Sequence, residues 1–149
     1  MKFPGVLAVL TGFLTASLAA GELIEVLEVS KEATADSREV TYVYWYEGKE
    51  HSEELHLKPT PLIVTDDVAK VSAGSEPRSF TAELTKEGEK KFAEKTAGLV
   101  GKRIAIVVQG KVISAPGLRF ALGRNFTIDG FKDEAEVKAF VEAFEKRGK

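Results

Sequence analysis

Residues 104–108, Ile-Ala-Ile-Val-Val, are apolar at all five positions. A strand with one wet face alternates polar and apolar side chains, whereas a strand with no polar position must be covered on both faces. Gln109-Gly110 follows and then a second extended run, Lys111–Ser114. The glycine can take the positive φ that a two-residue hairpin turn demands. Pro116 has no amide hydrogen to give a ladder and ends the return strand. A hairpin whose first strand is apolar on both sides places a sheet inside the molecule. The rest of the chain must supply what covers it.

Two helices are the obvious cover. Thr85 is placed to cap the first, with Glu87 and Glu89 in the turn where the helix dipole favours negative charge. Phe92, Ala93, Thr96, Leu99 and Val100 then fall on one stripe, so the spacing predicts a helix to about Val100. Gly101 stands where a left-handed C-terminal residue is wanted. In the last helix Val137, Phe140, Val141 and Phe144 recur at i, i+3, i+4, i+7. Residues 79–84 (SFTAEL) alternate as a strand, and a short extended piece is expected around Phe126–Ile128, before Gly130. The second half therefore reads β-α-β-β-β-α.

Upstream, residues 22–29 and 39–46 read as strands, the latter placing Tyr42 and Tyr44 on one face and Thr41, Val43 and Trp45 on the other. SEELHLKP makes a third, shorter strand, ended by Pro59 and Pro61. Thr65 offers an N-cap for one helical turn, and a Gly/Ser/Pro loop follows. The expected fold class is α+β: a largely antiparallel sheet covered on one face by two main helices, with a split βαβ, ferredoxin-like flavour. Residues 20–64 would join that sheet or form a small one beside the body at 65–149.

The first 19 residues have another character. Lys2, an apolar stretch from Phe3 to Leu14 and the small-x-small run Ser17-Leu18-Ala19 fit an export leader cleaved after Ala19. The stretch is short for a membrane span of about 20 residues. The chain has no cysteine, so disulfides and thiol chemistry are excluded, and so is a lipid anchor at the processing site. The expectation is a periplasmic or secreted molecule without stable membrane insertion. A net charge of −2 with no basic block argues against nucleic acid as a partner.

The chemical motifs are fragmentary. His51 and His56 in HSEELH are five apart with Ser52 between them, whereas the zinc-protease helix needs H-E-x-x-H. On a strand that spacing sends them to opposite faces. Ser114 lacks the G-x-S-x-G elbow and has no histidine near it in sequence. Neither EGKE nor QGK is a phosphate loop. Asp66-Asp67 and Asp133-Glu134 read as carboxylates at helix starts. No catalytic, cofactor or metal set emerges, which favours binding or structure over chemistry. A small secreted hydrolase using Ser114 or His56 stays as the alternative.

Residues 80–144 carry an ordered series: Leu84-Thr85, then Gly88, Phe92 and Thr96, then Ala105-Ile106, Gly110, Val112, Ser114-Ala115-Pro116, and Ile128-x-Gly130-Phe131 leading into Glu134-Ala135. The series resembles the head subdomain of the first periplasmic region of SecD, the accessory subunit of the Sec protein-export machinery. Residues 55–73 resemble that family's lead-in. The resemblance implies that Gly88, Phe92, Thr96, Gly110, Ser114, Ala115, Pro116 and Gly130 are fold signatures. Gln109, where the family usually has Asp or Asn, and Gly123-Arg124, in place of a glycine pair, depart from it. SecD's membrane helices have no counterpart here, so a motor function does not carry over. What the resemblance implies is a stand-alone, non-catalytic head that binds unfolded polypeptide or a protein partner, with Tyr44, Trp45, Phe120 and Phe126 as candidate contacts. A structural or inhibitory partner that plugs another exported protein's cleft is equally compatible.

Overall fold

The structure is a computed structural model that describes residues 22–119 and 122–147. The expected leader and Phe120 lie outside the described residues. Among the described residues, eight strands and two α-helices follow in the order β1 (Ile24–Ser30), β2 (Arg38–Tyr46), β3 (Lys49–Leu57), β4 (Val68–Ala73), β5 (Ser79–Leu84), α1 (Lys86–Ala97), β6 (Ile104–Val108), β7 (Lys111–Ser114), β8 (Asn125–Asp129) and α2 (Glu134–Lys146). A 3-10 turn at Thr65–Asp67 precedes β4.

The fold is α+β with antiparallel pairing throughout, but the strands divide between two sheets, β2-β3-β1-β6-β7 and β4-β5-β8. The ferredoxin-like detail is therefore not present as one ladder: β5 and β6, which flank α1, lie in different sheets. The sheets meet where β8 reaches β7, and there Gly130 presses against the carbonyl of Ile113.

The apolar run at 104–108 sits where its composition requires. Ile104, Ile106 and Val108 join Ile24 and Val26 in the main core. Ala105 and Val107 face the other way, into a second cluster with Leu27, Leu55, Leu57, Val112 and Ala115. Strand β1 lies between β3 and β6 and pairs with β6 over Ile24↔Val108 to Glu28↔Ile104. In the smaller sheet the inward rows Phe80, Ala82, Leu84 and Phe126, Ile128 meet Phe92 of α1 and Val137, Phe140 and Phe144 of α2 in the main core. Phe80 packs edge-on against Phe131 and Phe140, with centroids 5.5 and 5.1 Å apart. Such pairs are worth about 1 kcal/mol each beyond their buried area. The outward row stays polar, with Thr81 and Thr127 sharing a hydrogen bond of 3.0 Å, as suits a sheet wet on one face.

Both helices are capped as the sequence indicates. Thr85 Oγ1 accepts from the Gly88 amide, and Asp133 Oδ1 from that of Glu136, each at 2.9 Å. Helix α1 ends at Ala97, short of Val100: Gly98 forms its C-cap, Leu99 turns inward and Val100 is exposed. Glycine is a poor helix former, and its placement outweighs the stripe that continues past it. Both tight hairpins have a non-glycine residue at positive φ followed by glycine, Glu47-Gly48 and Gln109-Gly110, the type I′ arrangement. Thr65 does not cap its turn; its hydroxyl accepts the amides of Leu23 and Ile24 at 2.8 and 3.3 Å, stapling the turn to β1.

Candidate functional site

The β2–β3 hairpin pairs over nine positions, Arg38↔Leu57 to Tyr46↔Lys49, yet holds β1 at only two, Val29↔Leu57 and Ser30↔His56. Beyond those rungs it passes over β7 without pairing to it. Its inner row, Val40 and Tyr42, packs on the second core cluster. The outer row, Thr41, Val43 and Trp45, is exposed, with Trp45 at 53% and Val43 at 47%. Tyr46, at the last rung before the turn, is 61% exposed although its parity puts it on the inner row. Tyr44 is half-buried and stacked on His51, its cross-strand partner, with centroids 5.4 Å apart and planes within 14°. An apolar, aromatic end of a sheet therefore projects into solvent, with its β2 side unpaired among the described residues.

Arg103 ties the hairpin to the body. Its guanidinium donates to both carboxylate oxygens of Glu53, at 2.7 and 2.9 Å, and its Nε to the carbonyl of Ala115 at 2.8 Å. The fork holds the Glu53 carboxyl below its ordinary range and raises the guanidinium correspondingly. Beside it, burial pushes the Tyr42 phenol up despite the opposing charge of Arg103. Both partners are more than one-third exposed, so the pair contributes about 1 kcal/mol or less.

At its tip the hairpin reaches the end of the smaller sheet. Trp45, Glu47 and Gly48 line an open cleft of about 510 Å³ with Arg78 and Lys132. A second cleft, of about 780 Å³, lies at the other end of the ladder and is lined by charges of both signs, among them Glu28, Lys58 and Lys102. In it Lys58 Nζ sits 2.9 Å from Glu28 Oε2.

Of the candidate contacts, Tyr44 and Trp45 sit together on the projecting hairpin. Phe126 does not belong with them: it is 9% exposed on the inward face of β8, and its ring lies 5.9 Å from that of Phe92. The alternation of β8 makes it core. Sequence reasoning passed over Val43 and Tyr46 as surface and had no signal for Arg78 and Lys132, which reach the tip only through the sheet–sheet junction.

Of the signature positions, Phe92, Thr96 and Ala115 are buried, whereas Gly110 and Pro116 are exposed. Phe92 and Thr96 are fully buried, and the Thr96 hydroxyl donates to the Phe92 carbonyl at 2.6 Å. Ser114 closes β7, half-buried opposite Ile106, and among the described residues no histidine hydrogen-bonds to it. Pro116 ends the strand, but the chain stays beside β6: its carbonyl accepts from the Ile104 amide at 3.0 Å, and Arg103 bridges Gly117. His51 and His56 stand on alternate rows, opposite Tyr44 and Glu39 respectively. His56 Nδ1 lies 3.5 Å from Glu39 Oε2 and is buried without a hydrogen bond. Among the described residues, no group of three or more His, Asp or Glu gathers as a metal site, and no helix is long and apolar enough to cross a membrane.

Residues 39–142 match the profile of the SecDF P1 head subdomain. The chain belongs to that family. Protein translocase subunit SecD of Acidaminococcus fermentans is 42% identical over 59 residues, which are 39% of this chain and 14% of that protein. Protein translocase subunit SecDF of Thermus thermophilus is 37% identical over 100 residues, 60% of this chain and 13% of that one. This head thus spans only about a seventh of the length of these relatives. A crystal structure of SecDF in a super-membrane-facing form aligns with a TM-score of 0.63 at 24% identity, over 87% of this chain and 20% of that one. A structure of SecDF described as a membrane component that enhances protein export aligns at 0.61 and 24%, over 87% and 65%. At that identity the likeness is one of fold.

Proposed function

We propose that this SecDF P1 head works outside the cytoplasmic membrane as a non-catalytic module that holds unfolded polypeptide in the service of protein export. It would be delivered there by the leader at residues 1–19, cleaved after Ala19. Family membership and the translocase and export functions named for its relatives support the setting. The observation that carries the binding role is the projecting hairpin, with Val43, Trp45 and Tyr46 exposed on a strand whose outer edge is unpaired among the described residues. An edge strand offers main-chain pairing to a passing extended segment whatever its sequence, and aromatic side chains add contact area without demanding one partner residue. A hydrolase centred on Ser114 or His56 has less support, because among the described residues no histidine bonds to Ser114 and His56 meets only the exposed carboxylate of Glu39, at 3.5 Å.

Trp45 is the chain's single tryptophan, so its fluorescence reports the hairpin alone. Titration with a chemically unfolded exported protein should shift its emission, and Trp45→Ala should reduce retention of the head on that bait. An unmoved spectrum together with no retention would end this reading. Ser114→Ala and His56→Ala should leave retention unchanged, and a hydrolytic activity abolished by either would restore the enzymatic alternative.

A further inference from the structure

We propose that the cleft at the hairpin tip receives an acidic side chain of the held polypeptide, its carboxylate against Arg78 and Lys132 and a neighbouring apolar residue on the Trp45 ring. The proposal rests on the polypeptide-holding reading above and adds a preference to it: acidic–apolar segments over neutral ones, and neutral over basic.

Three stretches of chain far apart in sequence meet at this cleft: the β2–β3 turn, the β4–β5 loop through Arg78, and the β8–α2 loop through Lys132. Two cations and one acid, Glu47, line it in a protein whose net charge is −2. Among the described residues neither cation has a carboxylate within ion-pairing distance, whereas seven of the other Lys and Arg side chains do. Arg78 is also held in place. Its Nε donates to the Phe131 carbonyl at 2.7 Å, and its own carbonyl accepts the amides of Gly130 and Phe131. That leaves the guanidinium's terminal nitrogens free to form a fork with a carboxylate. Gly48 adds no side chain to the cleft lining, and a Cβ there would meet nothing within 4 Å.

The occupant follows from this shape and charge. An open cleft beside an edge strand suits a chain passing through better than a small molecule that needs enclosure. Two cations and one indole fit one carboxylate with an apolar neighbour. A flat anionic bilayer fits worse, because Glu47 and Glu50, the cross-strand partner of Trp45, would face it as well.

The test uses the full chain and three labelled unstructured peptides of equal length, identical except that a Leu-X-Phe-X core carries X = Asp, Asn or Lys. Binding is read by anisotropy. The Asp peptide should bind about three- to tenfold more tightly than the Asn peptide, and the Lys peptide more weakly than either. Added salt should narrow these gaps. Lys132→Gln and Arg78→Gln should each lower the Asp–Asn ratio and together bring it to one, with Asn binding unchanged. Among the described residues the Lys132 side chain makes no hydrogen bond or ion pair, so Lys132→Gln probes the cleft even where Arg78→Gln unsettles the loop. Equal affinity for all three peptides would overturn the charge preference and leave polypeptide holding intact; absence of any binding would overturn both. A Trp45 shift with anionic phospholipid vesicles but not with the Asp peptide would assign the cleft to a lipid surface instead.

Discussion

Gly88 sits where the first turn of α1 is pressed against the 3-10 turn at Thr65–Asp67, and a Cβ added there would run into the Asp67 carbonyl oxygen. That carbonyl already accepts the Thr85 amide at 2.9 Å, and the Asp67 carboxylate takes the Lys91 ammonium at 2.8 Å. The turn cannot retreat without breaking both contacts. Gly88→Ala should therefore cost about 1–3 kcal/mol in a urea titration. Gly98→Ala is the matched control, because a Cβ at Gly98 meets nothing within 4 Å and its stability should hold or rise slightly. Gln109 is a residue of the opposite kind, held at φ +51 by the type I′ turn without a side chain suited to it. Gln109→Asn should raise the melting temperature by the equivalent of a few tenths of a kcal/mol. The departure from the family at this position was legible in sequence. The reason for Gly88 was not, because the turn that crowds it lies more than twenty residues upstream.

Elements built from local rules were the ones readable in advance. The helix cap at Thr85, the helix-start carboxylate at Asp133, the stripe of α2 and the β6–β7 hairpin are each set by contacts within a few residues. Strand β4 escaped notice because a bulge between Val68 and Lys70 breaks its alternation, so that its buried residues, Val68 and Val71, are three apart. The packing of β2 across β7 was equally hidden, since nothing in either strand names the other. The contact joining these elements predicts a pH response. The Glu53 carboxyl titrates below its ordinary range in the folded chain. The stability it lends is thus present above the unfolded-state value, near 4, and is lost as acid takes the pH down through the lowered one. Wild type should exceed Glu53→Gln by about 1 kcal/mol or less at pH 7 and converge on it as the pH falls through the lowered value, as read from urea midpoints. Tyr42 responds at the other extreme. Its raised phenol pKa gives stability that is complete below the ordinary tyrosine value and fades as base passes the raised one. Ultraviolet titration of Tyr42→Phe should lose an ionisation above that ordinary value.

For the whole molecule, β1 is the strand on which both cores depend. It lies between β3 and β6, sends Ile24 and Val26 into one cluster and Leu27 into the other, and is braced by Ile63, whose carbonyl accepts the Val26 amide at 3.0 Å. A chain starting at residue 65 would expose one edge of β6 and open both clusters. It should show no cooperative thermal transition by circular dichroism, whereas a chain starting at residue 20 should melt as one unit. The two-rung attachment of the β2–β3 ribbon has a mechanical consequence. The stretch from those rungs to Trp45 is about 23 Å long at the usual rise of a strand. A tilt of about 10° at the rungs would carry the indole some 4 Å sideways while the nine-position ladder stayed whole. Force applied at the tip would thus be shared between the Val29–Leu57 rung and the Arg103–Glu53 fork, and the ribbon would swing as a lever once that fork gave way.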